Sequence, residues 1–169
     1  MVRTKNSCRL RLAAMLIIAS LATVSAQGTA KEKAPTPDFV ATKELAYCRR
    51  APALSAPLVW VFTRRGVPLR VLSKDDDWFY IEDADGARCW VNERIVTLGA
   101  FAIVRAEAAV AGLAGPKNDA QLRAKLEPGV IGRIIACADD WRKLEIADGQ
   151  AVWAPRSAFW GKVDACSSN

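Results

Sequence analysis

GVPLRVLSKDDDWFYIEDADGARCW, residues 66–90, decides how this chain folds, because it occurs a second time 63 positions further along. Eleven of its 25 positions hold the same residue in 129–153, with no gap between the two segments. The shared residues include Asp-Asp-Trp, Ala-Asp-Gly and the closing Trp, in the same order. So extensive a match within one chain indicates an internal repeat, and hence one small fold present in two copies.

Each copy has the pattern of five short strands separated by turns. In copy one, β-branched and aromatic runs predict strands near 47–48 and at 58–62, 67–72, 78–82 and 89–91, with a helical turn at 92–95. Copy two repeats the order at 108–113, 122–126, 130–136, 141–146 and 151–154. Turns about every ten residues predict a closed barrel. The expected fold class is therefore all-β, as two tandem five-stranded barrels that pack together.

The segments around the repeats set the expected domain boundaries. Residues 27–45 are rich in Lys, Glu, Thr, Pro and Ala, which is typical of a solvated linker. Domain 1 is expected at 46–99, domain 2 at 100–163 and a tail at 164–169. Within domain 2, Phe101 to Val104 is expected to return the chain along copy one.

Residues 1–26 have the pattern of a secretory signal peptide. Four positive residues precede an apolar run from Leu12 to Val24, and Val24-Ser25-Ala26 supplies a small-x-small cleavage pattern. Thirteen apolar-core residues are fewer than the roughly 20 that a membrane-spanning helix needs, which disfavours an uncleaved anchor. We expect cleavage after Ala26, a periplasmic location and no membrane span in the mature chain.

The charge balance argues against a nucleic-acid partner. The whole chain has 24 basic and 18 acidic residues, but four of the basic ones and none of the acidic ones precede Gln27. The exported part then carries 20 positive and 18 negative residues, so it lacks the basic surface of a nucleic-acid binder.

Four cysteines remain after residue 26, an even number that suits an oxidising compartment. Because two lie in each copy, pairing of Cys48 with Cys89 and of Cys137 with Cys166 is favoured among the three possible connectivities. A redox site is disfavoured because the chain has no Cys-x-x-Cys.

The chain contains no histidine, so Ser-His-Asp and Cys-His nucleophile systems lack their base. Asp75, Asp76 and Asp77, and the pair Asp139 and Asp140, each precede a strand-starting Trp, where Asp commonly shapes turns. Neither group has the spacing of a calcium loop. We therefore expect no enzyme activity, no catalytic residue, no metal and no cofactor.

Two sets of aromatic residues suggest two different roles. The repeated set is expected to fill the interiors, because small barrels need large side chains there: Trp78, Trp90, Trp141 and Trp153. The unrepeated aromatics and their neighbouring arginines are candidates for a peptide or glycan groove: Tyr47, Arg49, Trp60, Arg64, Arg65 and Phe79. Packing against copy two explains this second set equally well.

A turn ending in Gly, an alternating strand, Asp-Asp-Trp, Ala-Asp-Gly and a final Trp, present twice, resembles the bacterial SH3-like (SH3b) domain. The segments WVFTRRGVP (60–68), LEPGV (126–130) and FWG (159–161) resemble exported Gram-negative proteins that consist of two such domains. That family usually has Arg-x-Gly-Pro where this chain has Arg49-Arg50-Ala51-Pro52. It also tends to place a cysteine where this chain has Arg142, which implies a different partner for Cys137, with Cys166 as the candidate.

The resemblance implies a binding function, because SH3b modules often recognise peptidoglycan or its peptides. Cell-wall attachment or sensing is thus the leading expectation for this chain. Docking on an envelope protein partner is the alternative, and a cell-wall enzyme accessory is a third. The sequence leaves the ligand and the oligomeric state open.

Overall fold

The computed structural model describes residues 35–166. The predicted signal peptide, the first part of the predicted linker and the last three residues lie outside the described residues. Within 35–166 the chain forms fourteen β-strands and three short 3-10 turns. None of the helical segments in this range has the length and apolarity required to cross a bilayer.

Copy one is a single antiparallel sheet of seven strands. Its elements are β1 (Phe39–Thr42), β2 (Ala46–Arg49), β3 (Leu58–Phe62), β4 (Pro68–Asp75), β5 (Trp78–Glu82), β6 (Arg88–Asn92), a 3-10 turn η1 (Glu93–Ile95) and β7 (Val96–Thr97). The order across the sheet is β3-β2-β6-β5-β4-β1-β7.

Copy two has the same arrangement. Its elements are β8 (Phe101–Val104), β9 (Val110–Leu113), β10 (Leu122–Leu126), β11 (Ile131–Ala138), β12 (Trp141–Glu145), η2 (Ala147–Gly149), β13 (Ala151–Pro155), η3 (Arg156–Ala158) and β14 (Phe159–Gly161). The order β10-β9-β13-β12-β11-β8-β14 matches that of copy one strand for strand. The all-β class and the tandem repeat are confirmed.

Three details of the predicted fold are wrong. Each copy has seven strands in a linear hydrogen-bond order, instead of five in a closed barrel. Residues 39–42, placed in the linker by composition, form β1 and pair with β4 and β7. Residues 101–104 form β8 of copy two and pair with β11 and β14, so they do not return along copy one.

Strand β1 belongs to the sheet because its side chains are buried in spite of the polar residues that precede it. Val40 and Ala41 are 1% exposed. The buried Thr42 hydroxyl donates to the Arg64 carbonyl (2.6 Å) and accepts from the Val67 amide (3.0 Å). These bonds attach β1 to the turn that opens β4. Because the buried hydroxyl has both a hydrogen-bond acceptor and a donor, its burial costs little free energy.

The two cores are mainly aliphatic, and none of the four repeated tryptophans belongs to them. Copy one packs Val40, Cys48, Leu69, Phe79, Ile81, Cys89, Val91 and Val96; copy two packs Ala102, Val104, Leu126, Ile134, Leu144, Val152, Ala154, Ala158, Phe159 and Val163. Only Trp78 is buried, whereas Trp90, Trp141 and Trp153 are half-buried. On β6 the reason is alternation, since Cys89 and Val91 point inward and Trp90 between them points outward.

The two copies contact each other through aromatic and glycine residues. The rings of Phe39 and Trp160 meet edge to face at 5.3 Å, and the Arg70 guanidinium lies 5.7 Å and 5.8 Å from their centres. A Cβ atom on Gly161 of copy two would lie 3.0 Å from Cβ of Pro68 of copy one. The predicted packing of the copies against each other is confirmed.

Both predicted disulfides are present, Cys48–Cys89 and Cys137–Cys166. The first joins β2 to β6 inside the core of copy one. At the corresponding place in copy two, Gly112 lies against Val152, and a Cβ on Gly112 would lie 2.9 Å from Cγ2 of that valine. Close packing therefore replaces the cross-link there, and the second disulfide instead attaches the C-terminal segment to β11.

Arg142 replaces a core aromatic residue in copy two, because it occupies the position of Phe79 in the repeat. It is 6% exposed. Its Nε donates to the Val163 carbonyl (2.6 Å) and its Nη1 to the Asp139 and Trp141 carbonyls (both 2.8 Å). Its Nη2 bonds Asp164 (3.2 Å), which also accepts two bonds from Arg156. The guanidinium thus fixes the chain end against β12.

Removal of the Asp164 charge is expected to destabilise copy two at neutral pH and to make its stability less dependent on acid pH. Hydrogen bonds from Arg156, and then from Arg142, lower the pKa of Asp164 from 3.8 to about 2. A lowered carboxyl pKa contributes stability that is complete above pH 3.8 and is lost as the pH falls through 2. Asp164→Asn should lower the free energy of unfolding measured with urea at pH 6 by less than about 1 kcal/mol, because the side chain is largely exposed.

The difference between Asp164→Asn and the parent protein should shrink below pH 3.8 and vanish below 2. Asp119→Asn is the matched control, since among residues 35–166 Asp119 pairs only with the exposed Lys117, at 3.4 Å. A difference that stays constant from pH 6 to pH 2 would show that Asp164 does not stabilise the fold through its charge.

Candidate ligand-binding cleft

A small cleft lies on the outer face of copy one and is called here the aromatic cleft. Its volume is about 200 Å³, and its lining combines two aromatic rings, two guanidinium groups, an amide and two aliphatic side chains: Tyr47, Arg49, Leu54, Trp78, Asn92, Arg94 and Ile95. These residues come from β2, the loop after it, β5, β6 and η1. Such a mixture of apolar surface with a few polar groups is typical of sites that hold a side chain or the end of a peptide.

The β2 side of the cleft is fixed by alternation and by one hydrogen bond. Tyr47 and Arg49 are two residues apart on β2, so they point to the same face, away from the buried Cys48. Arg49 donates from Nη1 to the Ala56 carbonyl (2.7 Å), which fixes the loop that carries Leu54. The cleft therefore has a preformed wall with an exposed phenol ring, since Tyr47 is 41% exposed.

The opposite side is formed where β6 enters η1. Asn92 lies across from Trp78 in the β5–β6 register. The Asn92 side-chain oxygen caps η1 by accepting from the Arg94 amide (3.1 Å), and the Glu93 amide donates to the Asp77 carbonyl (2.8 Å). This cap sets the direction in which the Arg94 side chain leaves the backbone.

The cleft is positively charged. In the described range 35–166, no carboxylate forms an ion pair with Arg49 or Arg94, whereas Glu93 is neutralised by Lys74 at 2.6 Å. Two guanidinium groups without carboxylate partners beside aromatic rings favour a ligand that carries a carboxylate.

Copy two lacks this chemistry at the equivalent positions. The strand registers place Ala111 where copy one has Tyr47, and Leu113 where it has Arg49. In the repeat, Asn92 and Arg94 correspond to Pro155 and Ser157, and only Trp78 is retained, as Trp141. The aromatic cleft is therefore a property of copy one alone.

The six predicted ligand residues do not form one site. Tyr47 and Arg49 line the aromatic cleft. Phe79 is 5% exposed and lies in the core, on the same inner face of β5 as Ile81. The prediction that Phe79 contacts a ligand is therefore wrong. Trp60 is half-buried, packs edge to face on Phe62 at 5.9 Å and contacts the core.

The remaining two predicted residues lie near copy two. Arg64 donates from Nη1 to the Gly129 carbonyl (3.0 Å) and so joins the copies. Arg65 is exposed and lines two other grooves, of about 590 and 720 Å³. A further groove of about 540 Å³ between the copies includes Arg105, which Asp85 neutralises at 2.6 Å.

Sequence reasoning missed five residues of the cleft. They are Leu54, Trp78 as a cleft residue, Asn92, Arg94 and Ile95. A comparison of the copies gives the signal that was overlooked, since Asn92 and Arg94 are as unrepeated as Tyr47. The two acidic groups lie at equivalent turns, where Asp76 and Asp139 adopt φ angles of 43° and 46°. In residues 35–166 no three His, Cys, Asp or Glu side chains form a metal-ligating group.

Three solved structures align with part of this chain at low identity. NlpC2 from Trichomonas vaginalis is 9% identical with a TM-score of 0.33, covering 74% of this chain and 48% of that one. NlpC1 from the same organism is 8% identical with a TM-score of 0.33, covering 73% and 45%. An NlpC/P60 family protein from Bacillus cereus ATCC 10987 is 12% identical with a TM-score of 0.30, covering 72% and 55%.

This chain thus matches about half of the length of each of those three proteins. No curated protein matches it. The profile described as the bacterial SH3 domain matches twice, at residues 42–97 and 106–161, which together make up most of the chain and correspond to the two sheets. The chain therefore belongs to the bacterial SH3 domain family, of which it carries two tandem copies.

Proposed function

We propose that this protein is an exported, non-catalytic binding protein that recognises peptidoglycan or cell-wall peptides through the aromatic cleft of copy one. The observation that carries the proposal is the pair of guanidinium groups without carboxylate partners, Arg49 and Arg94, beside Tyr47 and Trp78. Cell-wall peptides carry free carboxylates and small apolar side chains. A cleft of about 200 Å³ with those groups fits one carboxylate-bearing residue or a peptide end.

The periplasm is the proposed location, because two disulfides and membership of a bacterial SH3 family fit an oxidising compartment next to the cell wall. The absence of histidine from the whole chain supports a role in binding without chemistry.

Arg94→Gln is expected to weaken retention on purified cell-wall sacculi about tenfold at physiological salt, because one charge-assisted hydrogen bond is lost. Retention is measured by pulldown over a range of sacculus concentrations. The control is Arg123→Gln, which removes the same charge from the exposed edge of copy two. Arg94 uses only its backbone to bond Lys43 and Asn92, so the variant should fold.

Absence of retention of the parent protein above a control protein of the same size would remove the proposal. An equal loss of retention in the Arg94 and Arg123 variants would show that binding is a non-specific electrostatic attraction and does not depend on the cleft.

Docking on an envelope protein partner is a second candidate, favoured by Leu54 at the mouth of the cleft, which is 75% exposed. An apolar side chain held out on a loop suits an apolar anchor from a protein. Crosslinking in cells separates the two functions, because a single defined protein adduct supports docking.

A further inference from the structure

The aromatic cleft adjoins a larger groove, called here the basic groove, whose volume is about 590 Å³. Arg94 and Ile95 line both of them. The rest of the basic groove is formed by Lys43, Glu44, Leu45, Arg65 and Thr97. Because its basic residues outnumber its one acidic residue, the groove is positively charged. A ligand longer than one residue can therefore continue past Arg94 into surroundings that favour a further negative charge.

Lys43 is held in the basic groove by η1. Its backbone amide donates to the Ile95 carbonyl (3.1 Å), and its Nζ donates to the Arg94 carbonyl (2.9 Å). Among the side chains described in 35–166, no carboxylate lies within ion-pair distance of this ammonium group. An ammonium group has three donors, and the Arg94 carbonyl takes one of them. Two donors and a positive charge thus remain for a ligand.

Copy two shows which kind of group occupies the equivalent place. Arg105 is the counterpart of Lys43, because its amide donates to the Ala158 carbonyl, and Ala158 corresponds to Ile95 in the repeat. Nη1 of Arg105 lies 2.6 Å from a carboxylate oxygen of Asp85, which belongs to the turn between β5 and β6 of copy one. A carboxylate on a peptide turn therefore occupies the groove of copy two. The same chemistry at Lys43 suits a carboxylate that comes from a ligand.

We propose that a ligand held in the aromatic cleft extends into the basic groove, where Lys43 binds a second carboxylate. This inference rests on the proposed function and specifies its ligand as a cell-wall peptide with two free carboxylates. Arg49 and Arg94 bind the first carboxylate, and Lys43 binds the second. Amidation of a carboxylate removes the charge that pairs with the cation, so the site discriminates against amidated peptides.

Isothermal titration calorimetry of the disulfide-bonded protein tests the proposal with three soluble muropeptides of one sequence. One has both peptide carboxylates free, and each of the others has a different carboxylate amidated. Lys43→Gln should bind the free form about fivefold more weakly than the parent protein does, because one charge-assisted hydrogen bond at an exposed site is lost. For one of the amides, Lys43→Gln and the parent protein should bind equally, because the carboxylate that Lys43 holds is already absent.

Lys125→Gln is the matched control, because it removes the same charge from an exposed position of copy two, and it should bind all three forms as the parent does. Unchanged far-UV circular dichroism and thermal midpoint confirm that both variants are folded. If Lys43→Gln binds the free form as tightly as the parent while Arg94→Gln weakens binding, the second carboxylate site is wrong and the proposed function of the cleft is retained.

Equal weakening by Lys43→Gln and Lys125→Gln also overturns the second carboxylate site, because the attraction is then non-specific. If the parent protein binds none of the three muropeptides, the proposed function itself is overturned, and this inference with it.

Discussion

Replacement of both Cys48 and Cys89 by alanine is expected to lower the free energy of unfolding by about 4 kcal/mol. The disulfide spans 41 residues, and closing a loop of that length removes about 4 kcal/mol of chain entropy from the unfolded state. Cys48 and Cys89 are 0% and 2% exposed, so loss of their sulfur atoms also leaves space in the core. Urea unfolding followed by tryptophan fluorescence gives the difference.

The matched control is Cys137→Ala with Cys166→Ala, which opens a loop of 29 residues in copy two. Hydrogen exchange should then show lost protection at the chain end and β11, with β2 and β6 unchanged. For the Cys48 and Cys89 double variant, protection should be lost from β2 and β6 first. A loss of less than about 1 kcal/mol in that variant would mean that the cross-link does not restrict the unfolded chain as the loop argument requires.

Arg142→Ala is expected to lower the free energy of unfolding by about 3 kcal/mol, which is the second largest effect after that of the Cys48 and Cys89 double variant. Truncation leaves the Asp139, Trp141 and Val163 carbonyls without their guanidinium donor. Unsatisfied buried polar groups and the cavity left by the side-chain stem both contribute. The measurement is again the urea midpoint, together with protection of the chain end.

Arg142→Lys separates charge from geometry. Lysine keeps the positive charge but cannot donate in several fixed directions at once, so most of the loss should persist. A lysine variant as stable as the parent would show that charge alone holds Asp164 and the chain end in place. An alanine variant with unchanged stability would contradict the described role of Arg142.

The repeat and the strands follow from the sequence because both depend on local patterns. Alternation in 67–72 and the glycine turns predict strand positions close to those of β4 to β6. Strand β1 is harder to predict, because Phe39–Thr42 follows Pro- and Lys-rich residues and is buried only through contacts with β4 and β7. The structure of β1 depends on strands that are distant in sequence, and local composition does not reveal those partners.

The candidate site was only partly predictable for the same reason. Tyr47 and Arg49 are neighbours on one strand, so their common face follows from alternation. Arg94 joins them only because β6 lies beside β2 in the sheet, a pairing between segments about 40 residues apart. Phe79 was misassigned because an unrepeated aromatic residue has the same sequence signal in a core as on a surface. Its counterpart in copy two, Arg142, is buried as well.

Titration of the isotopically labelled protein with a soluble muropeptide tests the proposed cleft most directly. The indole N–H signal of Trp78 and the side-chain amide of Asn92 should shift together and saturate. Trp141, the equivalent of Trp78 in copy two, is an internal control and should not move. Shifts confined to Trp141, or no shift at millimolar muropeptide, would contradict recognition of cell-wall peptides by the aromatic cleft.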